Sequence, residues 1–295
     1  MEIKTDKINE LFLTIDFEDF SFDLRRFLGI KNVSINGENL LRTYLKINNF
    51  CKSNLNKQKI TFFCTGIIAE QFPYIIDLIS RDGHEIACHS LYHDWVNKTP
   101  LKKFDYEIAK AIDNLEKASN KKVRGFRAPF FSINEHNYQH YKIIEKYFEY
   151  DSSLHINNLN QIRYFKDKLK LESLEVLPVP SINTFFNNYH FKLGGTAFKL
   201  LSQKKLNKFI ETSINNNIIP IIYLHPYEFF DDLSFYVTKK QMEEVSFIKK
   251  HYWLLKQYQW HKLGNKTVLP KLNTIFKIYK SGGSICDIAF KYVKI

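Results

Sequence analysis

The chain has 295 residues, 44% of them hydrophobic and 16% aromatic, which is enough apolar material for one large α/β domain or two small ones and too much for a disordered chain. No run of about 18 apolar residues occurs, and the N-terminal MEIKTDKINELFLTID reaches acidic residues before any apolar stretch of signal-peptide length, so we expect a cytoplasmic protein without a spanning helix. The formal charge of +12 is concentrated late, with ten lysines between Lys239 and Lys280 against Glu243 and Glu244; no zinc knuckle, helix-turn-helix spacing or aromatic RNA-binding signature accompanies it, which argues against nucleic acid and leaves ordinary solvated lysine-rich helices first, with an anionic substrate or peripheral contact with an anionic membrane as the functional alternative.

In chain order, Leu11–Ile15 reads as the first strand and Lys59–Cys64 as the second. The helix that follows is bracketed by Pro73 near its start and Gly83 just past its end. Glu85–Cys88 is the third strand, and Phe104, Ile108, Ile112 and Leu115 then recur at helical steps as one apolar stripe. Val123–Phe126 forms a short strand, His140–Phe148 a helix and Glu172–Val179 another strand. Ile218–Leu224 is nearly all apolar, as in strands buried on both faces, with Pro220 tolerable only at the strand's start or in a bulge. Strands alternating with helices predict a parallel α/β sheet. No Gly/Ser linker or repeat divides the chain, so residues 1–238 are expected to form the principal domain and 239–295 a basic helical extension packed on it. The four cysteines show no CxxC spacing, and neither disulfides nor a thiolate zinc site is expected.

The polar residues that interrupt these strands stand at their C-terminal ends: Asp16 after the first, His89 after the third, Arg127 after the fourth, Asp151 after the next helix and His225 after the last. In parallel β/α folds that edge is where sites are built. His89 and His93 are four residues apart, a spacing that would put both imidazoles on one side of a helical turn, within reach of one divalent metal. Asp16-Phe17-Glu18-Asp19 supplies the carboxylates. Asp16, ending the strand, suits a general base, and either Glu18 or Asp19 completes a two-histidine, one-carboxylate donor set that leaves positions open for water and substrate. Arg127, stiffened by Pro129, suits a guanidinium holding Asp16 ionised. His225 is placed to donate a proton to a leaving group.

The motifs Leu13-Thr14-Ile15-Asp16-Phe17-Glu18-Asp19, Thr61-Phe62-Phe63 with Gly83 to His93, Phe126-Arg127-Ala128-Pro129, Tyr150-Asp151-Ser152-Ser153 and Leu224-His225-Pro226 occur in one order across residues 11–226. Taken together they resemble the polysaccharide deacetylases of carbohydrate esterase family four, which share the NodB homology domain. The first motif departs from two adjacent aspartates and looks like a branch that includes allantoinase-like and exopolysaccharide-associated members.

The resemblance implies a distorted (β/α)7-type barrel with a divalent metal at its mouth, foremost Zn²⁺ with Co²⁺, Ni²⁺ or Fe²⁺ as alternatives. It implies hydrolysis of an N-acetyl group with Asp16 as base, His225 as acid and Asp151 orienting His225. Phe130, Tyr150 and Leu224 become candidates for the floor that receives the acetyl methyl. Without a leader, such a chain would act on a nucleotide- or lipid-linked saccharide precursor, whose phosphate the basic face would suit. The alternatives are an allantoinase-like amidase acting on a small amide, and a non-catalytic saccharide- or membrane-binding protein on the same scaffold.

Overall fold

The computed structural model describes residues 10–183 and 190–287, and the ends of both expected segments, 1–9 and 288–295, lie outside it. Its strands are β1 (Glu10–Phe17), β2 (Thr61–Cys64), β3 (Glu85–Cys88), β4 (Gly125–Phe126), β5 (Tyr150–Asp151), β6 (His155–Ile156), β7 (Glu175–Val176), β8 (Val179–Asn183), β9 (His190–Lys192), β10 (Ile221–Leu224) and β11 (Lys280–Ser281). Seven of these pair in parallel in the order β10-β1-β2-β3-β4-β5-β7, a curled half-barrel of the distorted (β/α)7 kind, while β6, β8 and β9 make a small separate sheet.

Period-two alternation sorts each parallel strand into two faces. Leu13, Ile15 and Phe17 join Phe62, Cys64, Ile86, Cys88, Phe126, Ile222 and Leu224 in the apolar layer under the helices. Phe12, Phe63, Ala87, Tyr150, Leu177 and Ile221 form a second cluster inside the barrel. The helices that cover the outside are amphipathic for visible reasons. Asn36 caps Gly37–Asn54 through a bond from the Asn39 amide at 3.0 Å, and Leu40, Tyr44, Ile47 and Cys51 bury one stripe of it. In Leu101–Ser119 the stripe is Phe104, Ile108, Ala111 and Leu115, ending at Asn120 in the left-handed region.

Two expected strands differ in extent. Pro220 lies just before β10, where it gives up only an amide, and its carbonyl accepts the Phe12 amide at 3.0 Å. The run Glu172–Val179 divides into β7 and β8 around Pro178, which has no amide to continue a ladder. The segment after residue 238 supplies the helices Phe247–His261 and Val268–Ile278, but it also enters the sheet. β11 pairs with the start of β1, and the Ile285 and Cys286 side chains close the bottom of the barrel. Among the described residues no helix is long and apolar enough to cross a membrane.

Candidate metal centre and active site

The inner parity of the strands carries their last residues into the mouth. On β1 it runs Phe12, Thr14, Asp16; past β3 it reaches His89, past β4 Arg127, past β5 Ser152 and past β10 His225. Neighbouring parallel strands keep these in step, with Asp16 opposite Phe63 and Ile15 opposite Leu224.

Arg127 is fully buried and spends its guanidinium on this face. Nη1 donates to Asp16 Oδ1 at 2.6 Å and Thr14 Oγ1 at 2.8 Å, Nη2 to Ser152 Oγ at 2.9 Å, and the group lies 4.0 Å from the Phe63 ring centroid. Burial alone would raise the Asp16 carboxyl, but Arg127, with His89 and His225, holds it below the usual carboxylate range. The Arg127 carbonyl also accepts a hydrogen bond from His89 Nδ1 at 2.7 Å, which leaves the lone pair of Nε2 facing the mouth.

His89, His93 and Glu18 converge: one ligand atom from each lies within 4.8 Å of the others, and all three residues are buried. Glu18 Oε2 stands 3.7 Å from His89 Nε2 and in closer contact with His93 Nε2, yet it has no hydrogen-bond partner. A buried carboxylate oxygen without a hydrogen bond, facing two imidazole nitrogens, fits a divalent metal. Behind His93, Asp23 Oδ2 stands 3.1 Å from Nδ1, an outer carboxylate of the kind that orients a ligating histidine. Burial raises Asp23 to about 7; burial opposes but does not outweigh the two carboxylates that lift His93 to about 10.

The two histidines meet by a different route from the helical turn their spacing predicts. Residues 89–95 form no helix; left-handed bends at Ser90 (φ 64°) and His93 (φ 60°) fold the loop back until the rings are 5.0 Å apart. Such backbone in non-glycine residues persists where surrounding contacts hold it. Here Ser90 Oγ accepts the His93 amide at 3.0 Å, and Arg26 pins Tyr92 O and, at 2.9 Å, Asp94.

Asp19, one of the two candidate metal carboxylates, is turned away. It caps the helix Phe20–Phe27, accepting from the Ser21 and Phe22 amides at 2.9 and 3.2 Å, the Ser21 hydroxyl at 2.8 Å and the Asn36 amide at 2.8 Å, so its lone pairs are engaged. Glu18 is the carboxylate that faces the histidines.

Three further expectations are corrected, two by parity and one by depth in the barrel. Asp151 faces the outer layer: it accepts from the Ser153 amide at 3.0 Å and hydroxyl at 2.5 Å, and Ser153 in turn accepts the Ala128 amide at 2.8 Å. It therefore braces the loop after Arg127 and does not orient His225. Glu228 does, accepting the His225 amide at 3.0 Å and standing 3.2 Å from Nδ1, with buried Lys199 3.5 Å from its other oxygen. Burial works against the imidazolium, but Glu228, with Glu18 and Asp16, raises His225 above its ordinary value. Leu224 packs in the outer layer, and Tyr150 lies deep in the barrel with its hydroxyl donated to Glu85 at 2.7 Å, so neither lines the mouth. Phe130 does. Its backbone is left-handed (φ 57°), it is 48% exposed, and its ring lies 4.4 Å from His93 and stacks on Trp95 at 4.9 Å. A cavity of about 450 Å³ opens beside this pair, lined further by Phe131, Leu154, His155 and Tyr164.

Asp23, Glu228 and Trp95 were not singled out by the sequence motifs, and Ser152 stood in one of them without a role. Glu228 carries a signal, an acid three residues after His225 at a helix start, and Asp23 follows Asp19 by one turn.

The family model for polysaccharide deacetylases matches residues 53–145, which include His89, His93 and Arg127. That match supports kinship with the family over this segment. No curated protein matches the chain. Similar solved structures include a Mycobacterium smegmatis protein assigned to the polysaccharide deacetylases (18% identity, 74% of this chain and 78% of that one, TM-score 0.49). Others are a CE4 family pseudoenzyme from Bacillus anthracis (13%, 95% and 66%, 0.48) and a family 4 carbohydrate esterase from Streptomyces lividans in complex with acetate (14%, 93% and 92%, 0.41). Likeness at this level says nothing of chemistry.

Proposed function

We propose that the chain is a metal-dependent deacetylase acting on the N-acetyl group of an amino sugar carried on a surface-polysaccharide precursor. The observation that carries this reading is the flanking of the Glu18, His89 and His93 cluster by two differently tuned groups, Asp16 with its proton affinity lowered by Arg127 and His225 with its proton affinity raised by Glu228. A carboxylate and an imidazolium with separated proton affinities are what general base and general acid require.

A divalent cation on the three donors, foremost Zn²⁺, would supply Lewis acidity to the attacking water and to the amide carbonyl. The protein's own residues do the rest. Asp16 accepts the proton of the attacking water, and Arg127 keeps that carboxylate charged and fixed in direction. His225 donates its proton to the departing amine as the carbon–nitrogen bond breaks. Glu228 holds the Nδ1 side of the ring, and Lys199 remains to balance its charge once that proton is given up. Phe130 and Trp95 offer an apolar platform for one face of a pyranose ring beside the reacting centre.

The test is acetate release from a panel of N-acetylated amino sugars, free, nucleotide-linked and lipid-linked, together with small non-sugar amides. Release from a sugar is expected, and both Asp16→Asn and His225→Ala should lower kcat by about 100-fold or more. Release from none of the sugars would overturn the substrate class, and turnover of a small amide alone would favour an allantoinase-like amidase. Metal bound without any turnover would identify a saccharide-binding protein on the same scaffold.

A further inference from the structure

The helix Phe247–His261 has two unlike sides. Gln257 and His261 are buried, and Trp253, Leu254 and Trp260 are half-buried against the turn after β10 and the helix Phe20–Phe27. At 100° per residue the opposite side carries Phe247, Ile248, Tyr252, Leu255 and Tyr258, each between 52% and 82% exposed. Single exposed apolar residues are ordinary, but five together on one helix face are an interaction surface.

Charge decides what covers it. Lys239, Lys240 and Lys249 are exposed in this helix and the segment leading into it, against the exposed Glu243 and Glu244; Lys262 and Lys266 pair with Asp231, whereas none of the first three lysines takes part in an ion pair among the described residues, and the helix itself adds Lys250 and Lys256 and no acid. A second copy docked face to face would bring these lysines against their equivalents. A surface of anionic lipid meets both halves of the pattern, since apolar side chains enter the headgroup boundary while lysines meet phosphate.

We infer that this helix face docks the protein on an anionic lipid bilayer. The packed side of the same helix reaches toward the barrel mouth, where His261 stacks on Tyr227 at 4.5 Å and Tyr227 on His225 at 5.0 Å, so the docking face is the side turned away from that stack. The docking does not rest on the deacetylase reading, and its test needs no substrate.

The full chain is sedimented with vesicles of phosphatidylcholine alone and of phosphatidylcholine mixed equally with phosphatidylglycerol, at low and high salt. Binding to the mixed vesicles only, weakened by salt, is expected. Ile248→Ser with Leu255→Ser, and separately Lys239→Glu with Lys240→Glu and Lys249→Glu, should each weaken it by about tenfold or more, with far-UV circular dichroism unchanged. Equal partition to both vesicle types, no partition to either, or undiminished binding by both variants would overturn the inference. So would a lipid-free dimer in light scattering that the Ile248→Ser, Leu255→Ser chain no longer forms.

Discussion

His225 sits in a buried chain of charges in which Lys199 meets Glu228 and Glu228 meets the imidazole. Burial raises a carboxyl, yet Lys199 and His225 keep Glu228 below its ordinary value, so the negative charge that holds the His225 proton is present at neutral pH. The sign follows for the rate. His225 must be protonated to act as an acid, and its proton affinity is raised, so activity should fall only as pH rises through that raised value. Glu228→Gln removes the charge and lets burial win, and the alkaline limb of kcat/KM should move to lower pH while the acid limb, set by Asp16, stays in place. A pH–rate profile in which both limbs are unmoved would deny Glu228 this role. The two neighbouring acids just after β1 separate in the same way. Asp19→Ala should lower stability by about 1–2 kcal/mol through loss of the helix cap while bound metal is retained. Glu18→Ala should lose the metal and leave the helix intact, which metal analysis and thermal unfolding distinguish.

The strands explain both what the sequence disclosed and what it hid. Alternation along Leu11–Phe17 is plain, and the positions of Asp16, His89, Arg127 and His225 at strand ends follow from it, so the parallel sheet and the mouth were legible. Parity was legible too and would have sent Leu224 and Asp151 to the outer layer, since each stands one residue from an inward His225 or Ser152. Register between strands was not legible, and it puts Tyr150 a level below the mouth, against Glu85. Nor were the left-handed bends at Ser90 and His93, because nothing in the residue types announces them; a four-residue spacing fits a helix or a loop equally. The same inner packing predicts the consequence of one glycine. A Cβ on Gly125 would lie 2.0 Å from the Tyr150 ring, a rigid group fixed by its bond to Glu85. Gly125→Ala should therefore destabilise by about 3 kcal/mol, and in a Tyr150→Ala background the same change should lose most of that effect. Denaturant unfolding of the four proteins gives the coupling; additive losses would place the ring elsewhere.

The barrel as a whole is closed at one end and charged at the other. Ile285 and Cys286 seal the bottom, their amides bonded to Thr61 and Glu85 at 2.9 and 3.1 Å, while the top gathers Asp16, Glu18 and Asp23 around one buried arginine and three histidines. Buried ionisable groups oppose folding unless each is paired or coordinated. A divalent cation on Glu18, His89 and His93 would stabilise the folded chain alone, because the unfolded chain does not hold the three donors together. Stabilisation of this kind grows with the logarithm of free metal, reaching about 2.7 kcal/mol at a hundredfold excess over Kd. For a chain of this size that corresponds to a rise in Tm of roughly 5 °C. Stripping the protein with a chelator should lower Tm by that amount, added Zn²⁺ should restore it, and Glu18→Ala should respond to neither. A wild-type Tm indifferent to both treatments would show that the carboxylate and two imidazoles balance one another without a metal.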